Sequence, residues 1–331
     1  MGQAGAKRMM AKRILIAESR GFPTAARQQL EHHGEVVLAD LDRAGLEATL
    51  PHTNVLWVRL RHRIDARLLD RAPGLEVIAT PTTGLTHIDT DAVEQRGIQL
   101  VSLRGETDFL KDVRATAEHT IGLILSLLRH IPAAAAHASS GGWDRNLFRG
   151  SEIYGKTIGI VGYGRLGRIV ARYLRAFDAR VLAADPWVDY REAGIERASL
   201  DELLKASDIV SLHVNLCEET REFFGPREFG LMKPGSYFVN TSRGELVDEA
   251  ALLEALRSGR LAGAAVDVVK DEHAGTSPLI GGPNLLVTPH IGGCTLESMQ
   301  KTEIFLAAKV ADLLTVLNET AQACSSAASR L

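Results

Sequence analysis

Short apolar runs alternate with stretches of helical period along nearly the whole chain. In the first third, RILIAES (13–19), VVLAD (36–40), NVLWVRL (54–60), LEVIATP (75–81) and IQLVSL (98–103) read as strands. Between the first two, TAARQQLEHHG reads as a helix with Gly34 as its C-cap. Strands that are apolar throughout, each separated from the next by a helix, predict βαβ units and a parallel sheet covered on both faces. From about Thr116 the texture changes. TAEHTIGLILSLLRHI reads as a long apolar helix stopped at Pro132, and AAAAHASSGGW as more helix and then a glycine loop. A second strand series starts at KTIGIVG (156–162) and runs through ARVLAAD (179–185), DIVSLHV (208–214), SYFVN (236–240), GAAVDVV (263–269) and NLLVT (284–288). A last amphipathic helix is predicted over 296–317, after which ETAQACSSAASRL is small, polar and expected to be mobile.

A second parallel sheet beginning in mid-chain predicts two α/β domains, and 331 residues leave room for both. The helices near 116–130 and 296–317 are the expected crossovers. The last one then returns the chain to the first domain, which becomes discontinuous, 1–117 with 296–331, around a second domain of 118–295. Composition narrows the function classes. Apolar residues are 45% and charged residues 24% of the chain, as in ordinary globular proteins. The 38 basic and 41 acidic residues leave a net charge of −3, too little positive charge for a general nucleic-acid binder. No run of 18 apolar residues predicts a membrane span or a membrane partner. Cys217, Cys294 and Cys324 are far apart and lack CxxC spacing, which speaks against a disulfide framework or a structural zinc and for a reducing cytoplasm. The basic start MGQAGAKRMMAKR lacks the apolar core of a signal peptide and reads as a frayed leader. His32, His33, His62, His119, His130 and His137 show no metal-ligand spacing and read as structural or solvated.

The segment TIGIVGYGRLGRIVARYLRAF places Gly162, Gly164 and Gly167 in G-x-G-x-x-G spacing between a predicted strand and a predicted helix. That context turns a weak motif into a dinucleotide fingerprint. Gly162 permits the tight turn, Gly164 lets a pyrophosphate approach the backbone, and Gly167 lets helix and strand pack closely. The helix N-terminus offers free N–H groups and the positive end of its dipole to the phosphates. The next strand ends at Asp185, 18 residues past Gly167, where an acid holds the ribose hydroxyls of NAD and repels the 2′-phosphate of NADP.

Ligands of open α/β sheets bind at the carboxyl ends of the strands. Three late strands each lead into an ionisable residue there: SYFVN into Arg243, GAAVDVV into Glu272 and NLLVT into His290. The three form a chemically complete set. A guanidinium clamps a carboxylate with two hydrogen bonds, an imidazole exchanges a proton near neutral pH, and a carboxylate orients that imidazole and favours its protonated form.

With VGYGRLGR, NTSRGELVDEAALLEAL, AAVDVVKDE, TPHIGG and PTTGLTHID in place, the chain resembles the D-isomer-specific 2-hydroxyacid dehydrogenases, the phosphoglycerate dehydrogenase-like family, over about 13–317. The resemblance implies two doubly wound parallel-sheet domains, Rossmann-like and flavodoxin-like, with an active-site cleft between them. The discontinuous domain binds substrate and the central one binds NAD. It implies that Arg243 binds the substrate carboxylate and polarises the carbonyl, that His290 is the acid/base and that Glu272 is its partner. It places the substrate carboxylate on the backbone around Thr83, Gly84 and Leu85, and Asp267 at the nicotinamide end. Thr241, Ser242, Gly292 and Gly293 then line the cofactor, with Tyr163, Arg165 and Leu166 in the glycine loop and His213, Val214, Asn215 and Thr220 on the adenine side. Two departures stand out: His273 occupies a position where proline is usual, and Asn215 does the same after the His213-Val214 pair. A homodimer is also implied, through the helix from Thr116 and the loop at Trp143.

Substrate choice is expected to rest on the first domain. Arg59 sits where phosphoglycerate-type relatives meet a distal phosphate, and Arg104 follows another strand end. Arg61 and Arg63 read as a solvated basic loop, and the 104–115 segment is long enough to reshape the pocket. The expected reaction is hydride transfer between NAD and a small D-2-hydroxy or 2-keto acid, with room for a second anionic group such as phosphate, phosphonate or carboxylate. The alternative is an NAD-sensing, corepressor-like binding protein, distinguished by NADH binding without turnover.

Overall fold

The computed structural model describes residues 12–272 and 275–328, the last eight as backbone. The expectations for the N-terminal leader, His273 and the side chain of Cys324 lie outside what is described. The chain forms two compact units, one holding the described residues through Val113 together with those from Leu296, the other Arg114–Thr295. The first break falls just before the helix Ala115–Leu128 rather than inside it.

In the first unit, β1 (Lys12–Ile16), β2 (Gly34–Leu38), β3 (Val55–Trp57), β4 (Val77–Thr80) and β5 (Gln99–Ser102) form a parallel sheet of order β2-β1-β3-β4-β5. β3 and β4 are buried at every position, which is why they read as unbroken apolar runs. One face packs Leu15, Leu56 and Ile78 against Leu46, Leu68 and Val93. The other packs Ile14, Ile16, Trp57 and Val77 against Leu30 and against Leu306, Val310 and Leu314 of the C-terminal helix Leu296–Ala328.

The second unit carries β6 (Thr157–Val161), β7 (Arg180–Ala184), β8 (Ile195–Arg197), β9 (Ile209–Leu212), β10 (Ser236–Asn240), β11 (Leu261–Val266) and β12 (Leu285–Val287). All pairings are parallel and the order is β12-β11-β10-β9-β6-β7-β8, so the chain reverses its direction of winding between β6 and β9. That switch point is where such sheets bind ligands. One face buries Phe224, Phe229 and Phe238 edge to face or tilted, with centroids 4.9–5.3 Å apart. The opposite face packs Ile158, Ile160, Val239 and Ala265 against Leu123, Ile124 and Leu128 of Ala115–Leu128 and Val170 and Leu174 of Arg165–Arg175.

Three expectations need correction, and one strand, β8, had not been expected. Gly34 opens β2 instead of capping the preceding helix, because a Cβ there would stand 2.1 Å from the Lys12 carbonyl oxygen. Pro132 starts a helix, Ile131–Ser139, rather than stopping one. It sits in the first turn, where no N–H is needed, and left-handed His130 separates this helix from the preceding one, which ends at Leu128. β8 carries no apolar signal, as a short edge strand with two exposed residues. The C-terminal helix runs past 317 to Ala328, in keeping with the high helix propensity of its alanines. The 104–115 segment is folded onto its own unit: Phe109 stacks on Phe305 at 3.9 Å, Lys309 pairs with Glu106, and Leu110 is buried.

Candidate active site

The glycine loop leaves β6 at the switch point. Gly162 has φ +91°, and a Cβ on it would lie 2.6 Å from the His213 carbonyl oxygen, so only glycine lets β9 press against the turn. A Cβ on Gly167 would strike the Gly162 carbonyl oxygen at 2.2 Å, which is the close helix–strand contact the motif requires. Gly164 is the N-cap of Arg165–Arg175 and its missing Cβ would point into open space. A phosphate can therefore reach the first-turn N–H groups. Asp185, just past β7, accepts from the Tyr163 N–H at 2.8 Å, which sets the acid directly against the loop. These residues fit a dinucleotide.

The other cofactor-side residues divide. Arg165 is half-buried, and burial alone lowers its pKa. Leu166 packs against the core, and Tyr163 is fully buried, its hydroxyl donating to Glu192 at 2.7 Å. His213 shares a hydrogen bond of 2.8 Å with Ser211, and burial pushes its pKa down to about 4, so the ring is neutral at pH 7. Val214 is half-buried, whereas the Asn215 carbonyl accepts from Thr220 at 2.9 Å, so Thr220 closes its own turn. Thr241 is buried and pairs with Thr120 at 2.9 Å, and the Ser242 hydroxyl donates to the Leu212 carbonyl at 2.7 Å, tying the end of β10 to that of β9.

Three adjacent strands deliver Arg243, Glu272 and His290. After β10, buried Asn240 accepts from Ser242 N–H at 2.9 Å and donates to the Arg243 carbonyl at 2.8 Å, which shapes the turn. Arg243 is half-buried. Burial depresses its pKa, while the charges of Glu272 and Glu245 favour its cationic form. A Cβ on Gly244 would lie 2.0 Å from the Val269 carbonyl carbon, so glycine lets this turn rest directly on the segment that follows β11. Glu272 Oε2 and His290 Nδ1 stand 2.6 Å apart. His290 itself (φ +52°) and Asp271 (φ +47°), which precedes Glu272, are left-handed, a conformation that costs an L-residue energy and clusters at functional sites.

Asp267 is the anchor of the His290 turn. The His290 N–H donates to its carbonyl at 2.8 Å. Its buried carboxylate accepts from Thr288 Oγ1 at 2.6 Å, Ile291 N–H at 2.9 Å and Gly292 N–H at 2.7 Å, with His119 Nε2 at 3.2 Å. Gly293 is exposed. Burial raises the Asp267 pKa, but the bonds from His119, Thr288, Ile291 and Gly292 outweigh it and hold the carboxyl below its usual range. His119, read from sequence as structural or solvated, is thus part of this site. Its partners lie well over 100 residues away, and no local pattern signals them.

In the first unit, Thr83 is exposed and Gly84 and Leu85 half-buried, in a turn held by Thr82 Oγ1, which donates to the Gly84 carbonyl at 2.8 Å. Arg59 is engaged internally: Nε donates to buried Glu303 at 2.6 Å and Nη1 to the Arg20 carbonyl at 2.8 Å. Arg61 pairs with Asp40 at 2.6 Å, and Arg104 is exposed after β5.

Because Asp267 binds its proton less tightly when folded, its contribution to stability is present above the usual carboxylate range and lost as pH falls through the depressed folded value. Asp267→Asn is expected to lower stability at pH 7 by about 1–3 kcal/mol. Below about pH 4 its melting temperature should fall less steeply than that of the wild type. Parallel acid limbs in thermal scans of the two proteins would contradict this role.

Comparison with known proteins agrees with this geometry. Residues 121–292 match the family model described as D-isomer specific 2-hydroxyacid dehydrogenase, NAD binding domain. The chain is 39% identical over 301 residues to the D-3-phosphoglycerate dehydrogenase of Mycobacterium bovis, covering 90% of this chain and 56% of that protein. It is 33% identical over 279 residues to the hydroxypyruvate reductase of Thermotoga maritima, covering 83% of this chain and 90% of the relative. The structure of D-lactate dehydrogenase from Aquifex aeolicus complexed with NAD and lactic acid is similar at a TM-score of 0.76 and 26% identity, covering 93% of this chain and 96% of that one. The chain thus spans little more than half the length of the phosphoglycerate dehydrogenases it matches. It belongs to the D-isomer specific 2-hydroxyacid dehydrogenase family, and its second unit is that family's NAD-binding domain.

Proposed function

We propose that this protein is an NAD-dependent oxidoreductase that interconverts a small D-2-hydroxy acid and its 2-oxo acid. The observation that carries the reading is the 2.6 Å contact of Glu272 with His290, beside Arg243 on neighbouring strand ends of an NAD-binding domain. When bound, the nicotinamide would supply the hydride that C2 gains in reduction and accept the hydride that C2 loses in oxidation. The chain's own residues manage charge and protons. The Arg243 guanidinium meets the negative charge that develops on the C2 oxygen and holds the neighbouring carboxylate. His290 Nδ1 is engaged by Glu272, so Nε2 is the nitrogen that hands a proton to that oxygen in reduction and takes it back in oxidation. Glu272 fixes the ring and stabilises the imidazolium. In the first unit the backbone at Thr83, Gly84 and Leu85 is assigned to the substrate carboxylate. Asp185 favours NAD over NADP by repelling a 2′-phosphate.

We assign a distal anionic group on the substrate to Arg104. Arg104 is exposed, whereas Arg59 is already neutralised by Glu303. Self-association is assigned to the 131–154 stretch. The helix Ile131–Ser139 buries none of its residues, Trp143 is 95% exposed, and Leu147 and Tyr154 are exposed as well. The helix from Thr116, the other expected contact, buries Leu123, Ile124 and Leu128 in the core of its own unit and leaves Glu118 and Gly122 exposed.

A panel of 2-oxo acids differing only in the distal group tests the reaction through loss of NADH absorbance. The wild type should turn over at least one. Arg243→Ala should lose about 10²–10³-fold in kcat/KM, and Glu272→Gln should lose kcat with NADH binding retained. NADH binding with no turnover of any member would refute the enzyme. Arg104→Ala should raise KM for dianionic substrates and leave lactate-sized ones unchanged; an equal rise for both contradicts that assignment. Trp143→Asp should shift the protein from dimer to monomer in analytical ultracentrifugation, and a wild type that sediments as a monomer at micromolar concentration rules out the interface.

A further inference from the structure

We propose that Glu249 is a positioning residue for Glu272: one buried carboxylate grips the backbone N–H of Lys270 before Glu272 and the side chain of Ser277 further along the chain. The inference deepens the function proposed above and rests on it.

Glu249 is only 6% exposed although it begins a helix, Glu249–Arg257. It is not needed there as a cap, because Asp248 already accepts from the Ala250 and Ala251 N–H groups. A buried carboxylate is costly unless its oxygens find donors. Both oxygens of Glu249 find them on the segment after β11. Oε1 accepts from the Lys270 N–H at 2.7 Å, and Oε2 accepts from the Ser277 hydroxyl at 3.0 Å. Ser277 Oγ in turn accepts from the Leu279 N–H at 3.1 Å.

The gripped points flank Glu272. Lys270 lies immediately before Asp271, whose φ of +47° is strained for an L-residue, and Glu272 follows directly. Such a conformation persists only when its surroundings hold it. The Gly244 turn that carries Arg243 rests against Val269 and Lys270 of the same backbone. Glu249 therefore sits where the segments bearing Arg243 and Glu272 meet, without itself being assigned to substrate or cofactor. The Lys270 ammonium plays no part in the grip, since it pairs with Glu222. Without the carboxylate, the Lys270 N–H loses its acceptor and the Glu272 carboxylate loses its fixed distance to His290. A displacement of about 1 Å at such a position is worth up to about 100-fold in rate.

The experiment measures kcat, NADH affinity by fluorescence and melting temperature for the wild type, Glu249→Ala, Glu249→Gln, Ser277→Ala, Glu272→Gln and the double variant Glu249→Ala/Glu272→Gln. Glu249→Ala should lower kcat by about 10–100-fold while NADH affinity stays within about twofold, because the glycine loop is untouched. Glu249→Gln should recover most of the loss, since its amide oxygen can accept from Lys270 N–H and its amide nitrogen can donate to Ser277 Oγ. Ser277→Ala removes one of the two grips and should give a smaller loss; it also keeps the idea testable if Glu249→Ala does not fold. In the Glu272→Gln background, Glu249→Ala should cost nothing further, because the group it positions is already gone. Losses that multiply in the double variant, or a Glu249→Gln as impaired as Glu249→Ala, overturn the inference and leave the reaction standing. A Glu272→Gln enzyme as fast as the wild type overturns the acid–base reading, and the positioning role falls with it.

Discussion

A hydrogen bond of 2.6 Å between side chains that lie 18 residues apart demands that both supporting segments be rigid. Neither Glu272 nor His290 belongs to a strand. Each sits a few residues beyond one, on backbone that turns through a left-handed residue. The parallel sheet does the coarse placement by ending β10, β11 and β12 side by side. The fine placement is electrostatic, with buried carboxylates accepting backbone N–H groups at the turns themselves.

The same arrangement recurs at different depths of the molecule. Asp267 gathers two N–H groups, a threonine hydroxyl and an imidazole around the His290 turn. Glu249 does the equivalent for the segment of Glu272. In the first unit, buried Glu18 accepts from the backbone of Arg59 at 2.8 Å and Arg61 at 3.3 Å. Burial raises its pKa and the neighbouring arginines only partly offset that. Glu303 is likewise raised by burial, against the pull of Arg59. Buried charges of this kind add little net stability but penalise any arrangement in which their partners are missing. They specify geometry, and geometry is what the proposed proton and hydride transfer requires.

Most of the fold was legible because parallel strands buried on both faces must be apolar throughout, and nearly every predicted strand coincides with an observed one to within a few residues. β8 escaped because an exposed edge strand needs no apolar run. Gly34 and Pro132 were misplaced because each has two structural uses, and only tertiary contact selects between them: a close approach to β1 for one, a first helical turn for the other. Arg243, Glu272 and His290 stood out because ionisable residues just past strand ends have a sequence address, and β10, β11 and β12, which lead into them, are neighbours in the sheet. His119 and Glu249 did not. Their roles lie in contacts across 148 and 21 residues to groups that include backbone N–H, and backbone carries no sequence signal. Arg59 was readable as a cation at a strand end, but the carboxylate that engages it comes from a helix 244 residues later.

The most direct test of the account is a crystal structure with NADH and oxamate, a 2-oxo acid mimic that hydride does not reduce. The account predicts that His290 Nε2 and the Arg243 guanidinium both lie within hydrogen-bonding distance of the oxamate keto-type oxygen, with the Glu272–His290 contact retained. An analogue bound with its oxygen facing neither group would contradict it.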